Sequence, residues 1–175
     1  IVTTSGRTTK GVTPASYVAD NLATAALFAA HPRFVGQTSN GRYFRAVPVN
    51  GELTVELGGA TGDGLTNDQP AIQAAIDYAE AIGIRTVLFT ARSYRLHCPI
   101  RTSDPAGQIG QHFYDGRPIV ISTPMVLRST CHLGTRLIFR AADGSERQNI
   151  WQSVFSPSTS QRMVWRGGAI FIRRP

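Results

Sequence analysis

Apolar residues fall at helical spacing most clearly in one stretch, where Ile72, Ala75, Ile76 and Ala79 stand at i, i+3, i+4 and i+7 and make a single stripe. Asp77 and Glu80 lie off it. Asn67 or Asp68 supplies an N-cap, Pro70 is tolerated in the first turn and Gly83 is a stop, so the pattern predicts a helix over about 69–82. Before it, Leu53-Thr54-Val55-Glu56-Leu57 alternates as a strand does. After it, Thr86–Phe89 reads as a buried strand and Tyr94-Arg95-Leu96 as a second, beyond a turn. From there on the helical period is lost. Short apolar runs take over at 118–121, 125–127, 131–133, 136–139 and 169–172, with turn residues such as Asp143-Gly144 and Gly167-Gly168 between them.

The first fifty residues form a separate module in this reading. Thr13-Pro14 starts a helix expected over about 14–30, with Val18, Leu22, Ala25 and Ala29 as a narrow stripe widened by Leu27 and Phe28, and His31-Pro32 ends it. Asn40-Gly41 then signals a hairpin over about 33–47. An alanine-rich helix and a lone hairpin cannot hold a core by themselves, so the module needs a partner surface. The boundaries expected are 1–50 for this module and 51–175 for the remainder.

Between the incoming strand and the helix lies Gly58-Gly59-Ala60-Thr61-Gly62-Asp63-Gly64-Leu65-Thr66-Asn67-Asp68. A glycine-rich turn from strand to helix raises the question of a phosphate cradle. The Gly-Lys-Ser/Thr ending of a P-loop is absent, the third glycine of a dinucleotide fingerprint falls on Asn67, and Asp63 and Asp68 would repel a pyrophosphate. Gly62, Asp63, Gly64, Asn67 and Asp68 therefore read as structural turn and cap residues, with the side chains bonding to nearby main-chain N–H groups.

The run 59–68, followed by Ala71-Ile72-Gln73-Ala74-Ala75-Ile76-Asp77, Thr86-Val87-Leu88-Phe89 and Ser93-Tyr94-Arg95-Leu96, resembles the start of a pectate-lyase-like right-handed parallel β-helix, as found in polysaccharide-degrading enzymes and bacteriophage tailspikes. The resemblance covers roughly residues 53–140. It implies a mainly β solenoid whose open N-terminal end is covered by the helix at 69–82, since such an end exposes apolar surface and unpaired strand edges. Closely spaced short strands also suit a β-sandwich; a helix followed directly by strand favours the solenoid. The helix-plus-hairpin module before the motif resembles, more loosely, the N-terminal connector of tailspikes. About three or four rungs are expected from Ile84 onward at roughly 20–30 residues each. With Ile1 as the first residue and no cap sequence at the other end, the chain reads as a fragment of a longer protein.

Candidate chemistry is sparse. The polar segment 101–118 reads as a loop between rungs, and Phe113, Tyr114 and Arg117 within it are candidate glycan-binding residues, the alternative being that the aromatic pair pins the loop. After the helix the acidic residues are Asp104, Asp115, Asp143 and Glu146, and the last two flank a turn. Glycoside hydrolysis needs two carboxyl groups facing each other at about 5–9.5 Å, and no such pair is evident. No acidic cluster suggests the calcium site of a lyase. Any active site is expected outside this segment. Cys98 and Cys131 each neighbour a histidine, His97 and His132. Adjacent strand residues point to opposite faces, so buried free thiols with outward histidines are expected, a disulfide or a metal site being the alternatives. No metal and no cofactor is expected.

Charge refines the picture. The net charge is +7, and 17 of the 18 basic residues are arginine. Residues 1–50 carry five basic and one acidic residue (+4), residues 51–100 three and six (−3), and residues 101–175 ten and four (+6). Arginines alternate with apolar residues, as in Arg136-Leu137-Ile138-Phe139-Arg140, which suits an outward strand face that attracts acidic polysaccharide. Only Arg173-Arg174 form a basic pair, so no nucleic-acid partner is expected. No apolar run is long enough for membrane insertion. The expected function is the N-terminal portion of a virion-attached spike that recognises, and in some forms degrades, host surface polysaccharide. It would dock other virion proteins through residues 1–50 and form a homotrimer. The alternative is a secreted polysaccharide lyase, hydrolase or epimerase.

Overall fold

The computed structural model describes residues 2–4, 15–98, 119–130, 135–141, 155–157, 164–167 and 170–173. The described chain is mainly β. It opens with strands β1 (Val2–Thr4) and β2 (Ala15–Val18), a short helix α1 (Ala25–Ala30), β3 (Val35–Gln37), β4 (Tyr43–Ala46) and β5 (Glu52–Thr54). A 3-10 turn (Val55–Gly58) leads to β6 (Asp63–Asn67) and helix α2 (Gln69–Ala81). The strands that follow are β7 (Thr86–Phe89), β8 (Ser93–Cys98), β9 (Ile119–Ile121), β10 (Val126–Ser129), β11 (Thr135–Ala141), β12 (Phe155–Pro157), β13 (Val164–Gly167) and β14 (Ile170–Arg173).

Two sheet types divide the molecule. The N-terminal strands make an antiparallel sheet ordered β1-β2-β4-β3, and the later strands make parallel stacks ordered β13-β10-β7-β5, β14-β11-β8-β6 and β12-β9. The parallel registers bring like residues into line. Leu53, Val87 and Leu127 stand opposite one another across β5, β7 and β10, and all three are fully buried. Tyr94 of β8 faces Leu137 of β11 in the same way. Ile119 and Ile121 of β9 complete this interior. Aligning apolar positions strand beside strand buries a continuous core that no single strand could bury alone.

Helix α2 lies over one end of this interior, burying Ala71, Ile72, Ala75, Ile76, Tyr78 and Ala79. The expected stripe is all there, and Tyr78 joins it. Gly83 takes the left-handed conformation (φ +77°) just past the helix, as a C-terminal stop does. Gln73 and Glu80 of α2 reach across to β9 and the residues just after it. Gln73 donates from Nε2 to the Val120 carbonyl (2.9 Å) and accepts from the Val120 N–H at Oε1 (2.7 Å). Glu80 Oε1 accepts from the N–H groups of Ser122 (2.7 Å) and Thr123 (2.8 Å). Among the described strands β9 pairs with β12 alone, and the Gln73 amide gives Val120 main-chain partners from the helix.

Two expectations need correction. The helix expected over 14–30 is confined to Ala25–Ala30, and its first part is strand β2, where Tyr17 pairs with both Val2 and Ala46. The break has a local cause. Asp20 Oδ1 accepts from the N–H groups of Leu22 (3.0 Å) and Ala23 (3.2 Å), and Thr24 Oγ1 then caps α1 by accepting from Leu27 (3.1 Å). These side chains offer the backbone a turn that outcompetes helix. Likewise, the alternation at 53–57 continues as strand only to Thr54. Gly59, left-handed at φ 97°, closes a 3-10 turn there that keeps Val55 and Leu57 buried. The hairpin is antiparallel as expected, pairing Val35–Gln37 with Tyr43–Arg45 around Asn40-Gly41.

Asp20 also ties the N-terminal sheet together. Its carboxylate pairs with Arg45 (Oδ2 to Nη2, 2.5 Å), and that hydrogen bond holds the Asp20 carboxyl below the ordinary carboxylate range. A depressed folded-state pKa means that the stability it adds is present above the unfolded value near 3.8 and is lost as pH falls through the folded value. The N-terminal sheet is therefore expected to loosen when pH drops below about 4. Asp20→Asn should flatten that part of the acid unfolding curve, followed by amide exchange of Tyr43–Ala46. An unchanged curve would show that the pair contributes nothing.

Candidate functional site

The glycine-rich turn closes on its own carboxylates. Asp68 is 1% exposed, and accepts from the Thr61 N–H at Oδ1 (2.6 Å) and from the Gly62 N–H at Oδ2 (3.1 Å). Burial raises its pKa, and those N–H groups work against the rise. Asp68 occupies the N-cap position of α2, yet its side chain serves the loop and not the helix. Asp63 accepts from the N–H groups of Leu65 (2.8 Å) and Thr66 (2.7 Å) and from the Thr66 hydroxyl (2.8 Å), which lowers its pKa. Asn67 Oδ1 accepts from Gln69 (3.2 Å) and from His97 of β8 (3.0 Å). Gly62 and Gly64 are both left-handed, at φ +69° and +74°. The N–H groups that a phosphate would need at Thr61, Gly62, Leu65 and Thr66 are already taken by two carboxylates, so this turn is a hinge.

A second carboxylate clamp joins the 3-10 turn to the turn between β7 and β8 and to Tyr94. Glu56 Oε1 accepts from the N–H groups of Thr90 (3.0 Å) and Ala91 (3.2 Å) and from the Tyr94 hydroxyl. Glu56 Oε2 is buried with no hydrogen-bond partner among the described residues. Burial first, and the neighbouring Glu56 next, drive the Tyr94 pKa far above the ordinary phenol value. Tyr94 is thus a fixed donor and cannot serve as a phenolate base near neutral pH. Glu56 also lines a cavity of about 300 Å³ with Glu52, Thr54, Val49, Leu57 and Thr90. Glu52 is paired with Arg128 (Oε1 to Nη1, 2.5 Å). Both carboxylates are held by structural partners, and neither is set up as an acid–base pair. The sequence reading missed Glu56, Tyr94 and Gln73 as organising residues. The only available signal was their polarity within otherwise apolar runs.

The outer face of the β14-β11-β8-β6 sheet is different in character. Reading across the register, Ser93 stands opposite Arg136 and Phe171, Arg95 opposite Asn67, Ile138 and Arg173, and His97 opposite Arg140. These positions alternate with the buried Tyr94, Leu96 and Leu137. Arg136 is exposed, and Arg95 is half-buried with Nη1 donating to the Leu65 carbonyl (3.1 Å). Leu65 itself is 74% exposed at the sheet edge.

Phe113, Tyr114 and Arg117 lie outside the described residues, as do Asp104, Asp115, Asp143, Glu146, Cys131 and His132. Cys98 is the last residue of β8, opposite Ala141. Among the described residues no group of three or more His, Cys, Asp or Glu is placed to hold a metal ion. No described helix is long and apolar enough to cross a membrane.

What the chain does share with a known protein is a stretch of sequence. Over 73 residues it is 44% identical to mannuronan C5-epimerase AlgE3 of Azotobacter vinelandii. The match takes in 41% of this chain, which spans 4% of the length of that much larger protein. No protein-family model matches the chain, and no solved structure matches it.

Proposed function

We propose that this chain is the N-terminal part of a polysaccharide-recognising protein built on a right-handed parallel β-helix. The observation that carries the reading is the 73-residue similarity to a mannuronan C5-epimerase, in a chain whose strands stack in parallel register behind a covering helix. In a β-helix, β5, β7, β10 and β13 would be successive rungs of one face, β6, β8, β11 and β14 of a second, and β9 and β12 of a third. Helix α2 would be the cap.

The described residues offer binding surface and no acid–base pair, so recognition is assigned to this segment and any catalysis to later rungs. Residues 1–50 serve as an attachment module. Support for this comes from the change of sheet type, antiparallel before β5 and parallel after it. On a virion the module would dock a neighbouring structural protein and the spike would be a homotrimer; on a secreted epimerase or lyase it would be an accessory unit.

Affinity electrophoresis of the chain in gels cast with mannuronan, host capsular polysaccharide, lipopolysaccharide or no polymer tests the reading. Retardation by at least one polysaccharide is expected. Unchanged mobility in all of them overturns it. Light scattering and immunodetection in purified particles separate the two settings. A trimer present in particles supports the spike, whereas a monomer absent from them leaves the secreted enzyme.

A further inference from the structure

We infer that Asn50 is a site of spontaneous modification in the folded protein, where the backbone and water convert the side-chain amide to aspartate and isoaspartate. The inference does not depend on the polysaccharide reading. The chain holds two Asn-Gly pairs, Asn40-Gly41 and Asn50-Gly51. Asn50 and Gly51 both take left-handed backbone angles, φ 51° and 77°. Val49 and Glu52 on either side exchange hydrogen bonds at 3.0 and 2.9 Å. This is the two-residue hairpin turn that favours Asn-Gly, and it leads from the antiparallel sheet into β5, which pairs in parallel with β7. Asn50 and Gly51 are exposed, and a Cβ added at Gly51 would meet nothing within 4 Å. Neither the Asn50 side chain nor the Gly51 N–H has a hydrogen-bond partner among the described residues.

The chemistry needs a free nucleophile and a free electrophile. The Gly51 nitrogen attacks Cγ of Asn50, the N–Cγ bond forms and the Cγ–Nδ2 bond breaks. The side-chain nitrogen leaves as ammonia, carrying the proton that Gly51 gives up. Water then opens the five-membered imide. Attack at Cγ yields aspartate, and attack at the main-chain carbonyl carbon yields isoaspartate, in which the chain runs on through Cβ and Cγ. No redox change occurs. Glycine favours ring closure because no Cβ shields its nitrogen. At Asn40 the same two groups are occupied. Asn40 Oδ1 accepts from the Thr38 hydroxyl (2.5 Å), and the Gly41 N–H donates to the Thr38 carbonyl (2.9 Å). Thr38 and Arg42 brace that turn further through the Thr38 N–H and hydroxyl and the Arg42 N–H and carbonyl. Only the Val49–Glu52 pair closes the turn at Asn50. Isoaspartate lengthens that turn by one methylene and sets a new carboxylate two residues from Glu52, the partner of Arg128. The junction between the two sheet types thereby loosens as the protein ages.

The test ages the whole chain at mildly alkaline pH in heavy-oxygen water, once in native buffer and once in concentrated urea. Peptide mapping by mass spectrometry, with enzymatic methylation to mark isoaspartate, follows both Asn-Gly sites. Each product should carry one heavy oxygen from the ring-opening water. The ratio of the native rate to the rate in urea removes the effect of the flanking residues. That ratio is expected to be about fivefold or more higher for Asn50 than for Asn40, since the Gly41 hydrogen bond must open before its nitrogen can attack. Equal ratios, or a higher one for Asn40, overturn the inference. So does a native rate at Asn50 more than about tenfold below its rate in urea, which would show that the turn protects it. Asn50→Gly keeps a residue that suits the left-handed position and should abolish the product in that peptide. In hydrogen exchange the Val49 and Glu52 N–H groups should lose protection in step with isoaspartate in the wild type and keep it in aged Asn50→Gly. Full protection in the modified wild type overturns the loosening of the junction.

Discussion

Tyr78→Ala should be the most damaging single substitution in the described chain, costing about 3–5 kcal/mol and lowering Tm by on the order of 10 °C. Tyr78 is fully buried on α2 and stacks on Phe34 at 4.5 Å with the rings 5° apart. His31 meets it edge-on at 5.6 Å, and its hydroxyl donates to the Ala46 carbonyl at 2.8 Å. Those three partners all belong to the N-terminal module, so one ring seats the antiparallel sheet on the helix that covers the parallel stacks. Burial pushes its pKa up to about 12, so it remains a donor throughout the working pH range. Tyr78→Phe keeps the ring and strands the Ala46 carbonyl, at about 1–3 kcal/mol. Urea unfolding with both variants separates packing from hydrogen bonding. A loss below about 1 kcal/mol for the alanine variant would show that the two sheets are held together elsewhere.

Gly62→Ala should be nearly as severe, at about 2–5 kcal/mol, because two costs coincide. The residue sits at φ +69°, and a Cβ added there would lie 2.1 Å from the Ala91 Cβ and 3.2 Å from Tyr94 Cε1. Gly83 supplies the comparison. Its φ is +77° with nothing within 4 Å of an added Cβ, so Gly83→Ala carries the conformational cost alone, about 1–2 kcal/mol. The difference between the variants in thermal unfolding measures how tightly the hinge is pressed against the β7–β8 turn. Equal losses would mean that the turn moves aside freely.

How far these features could be read in advance depended on the range of the interaction. Helix α2 was legible because its stripe, its proline and Gly83 act within a few residues of one another. Strands β7 to β11 and β14 were legible wholly or in part as apolar runs, with Val87 and Leu127 inside them, whereas β12 and β13 were not foreseen. The strand at Ala15–Val18 was misread as helix because its state is fixed by pairing with Val2–Thr4 and with Ala46 and by the Asp20 turn, while local composition favours helix. The site was less legible than the fold. Glu56 binds groups 34–38 residues away, and Gln73 meets Val120 across 47 residues. Distances of that kind leave no trace in periodicity. Arg136 and Arg140 were assigned to one outward strand face by alternation, but only the register shows that Arg136 lies in the row of Ser93 and Ile138 in the row of Arg95. Phe113, Tyr114 and Arg117, the residues singled out for sugar contact, lie outside the described residues.

The amide of Gln73 has one further consequence. By occupying one margin of β9, it leaves the described β12-β9 pair open to a further strand only beyond β12. A stack with such polarity suits assembly in the order of synthesis. In the proposed β-helix, each coil leaving the ribosome would find a finished template beneath it once α2 has docked, and no earlier coil would have to wait for a later one. The helix would then act as the starting block of a vectorial process, and its side chains would set the direction in which the protein builds itself.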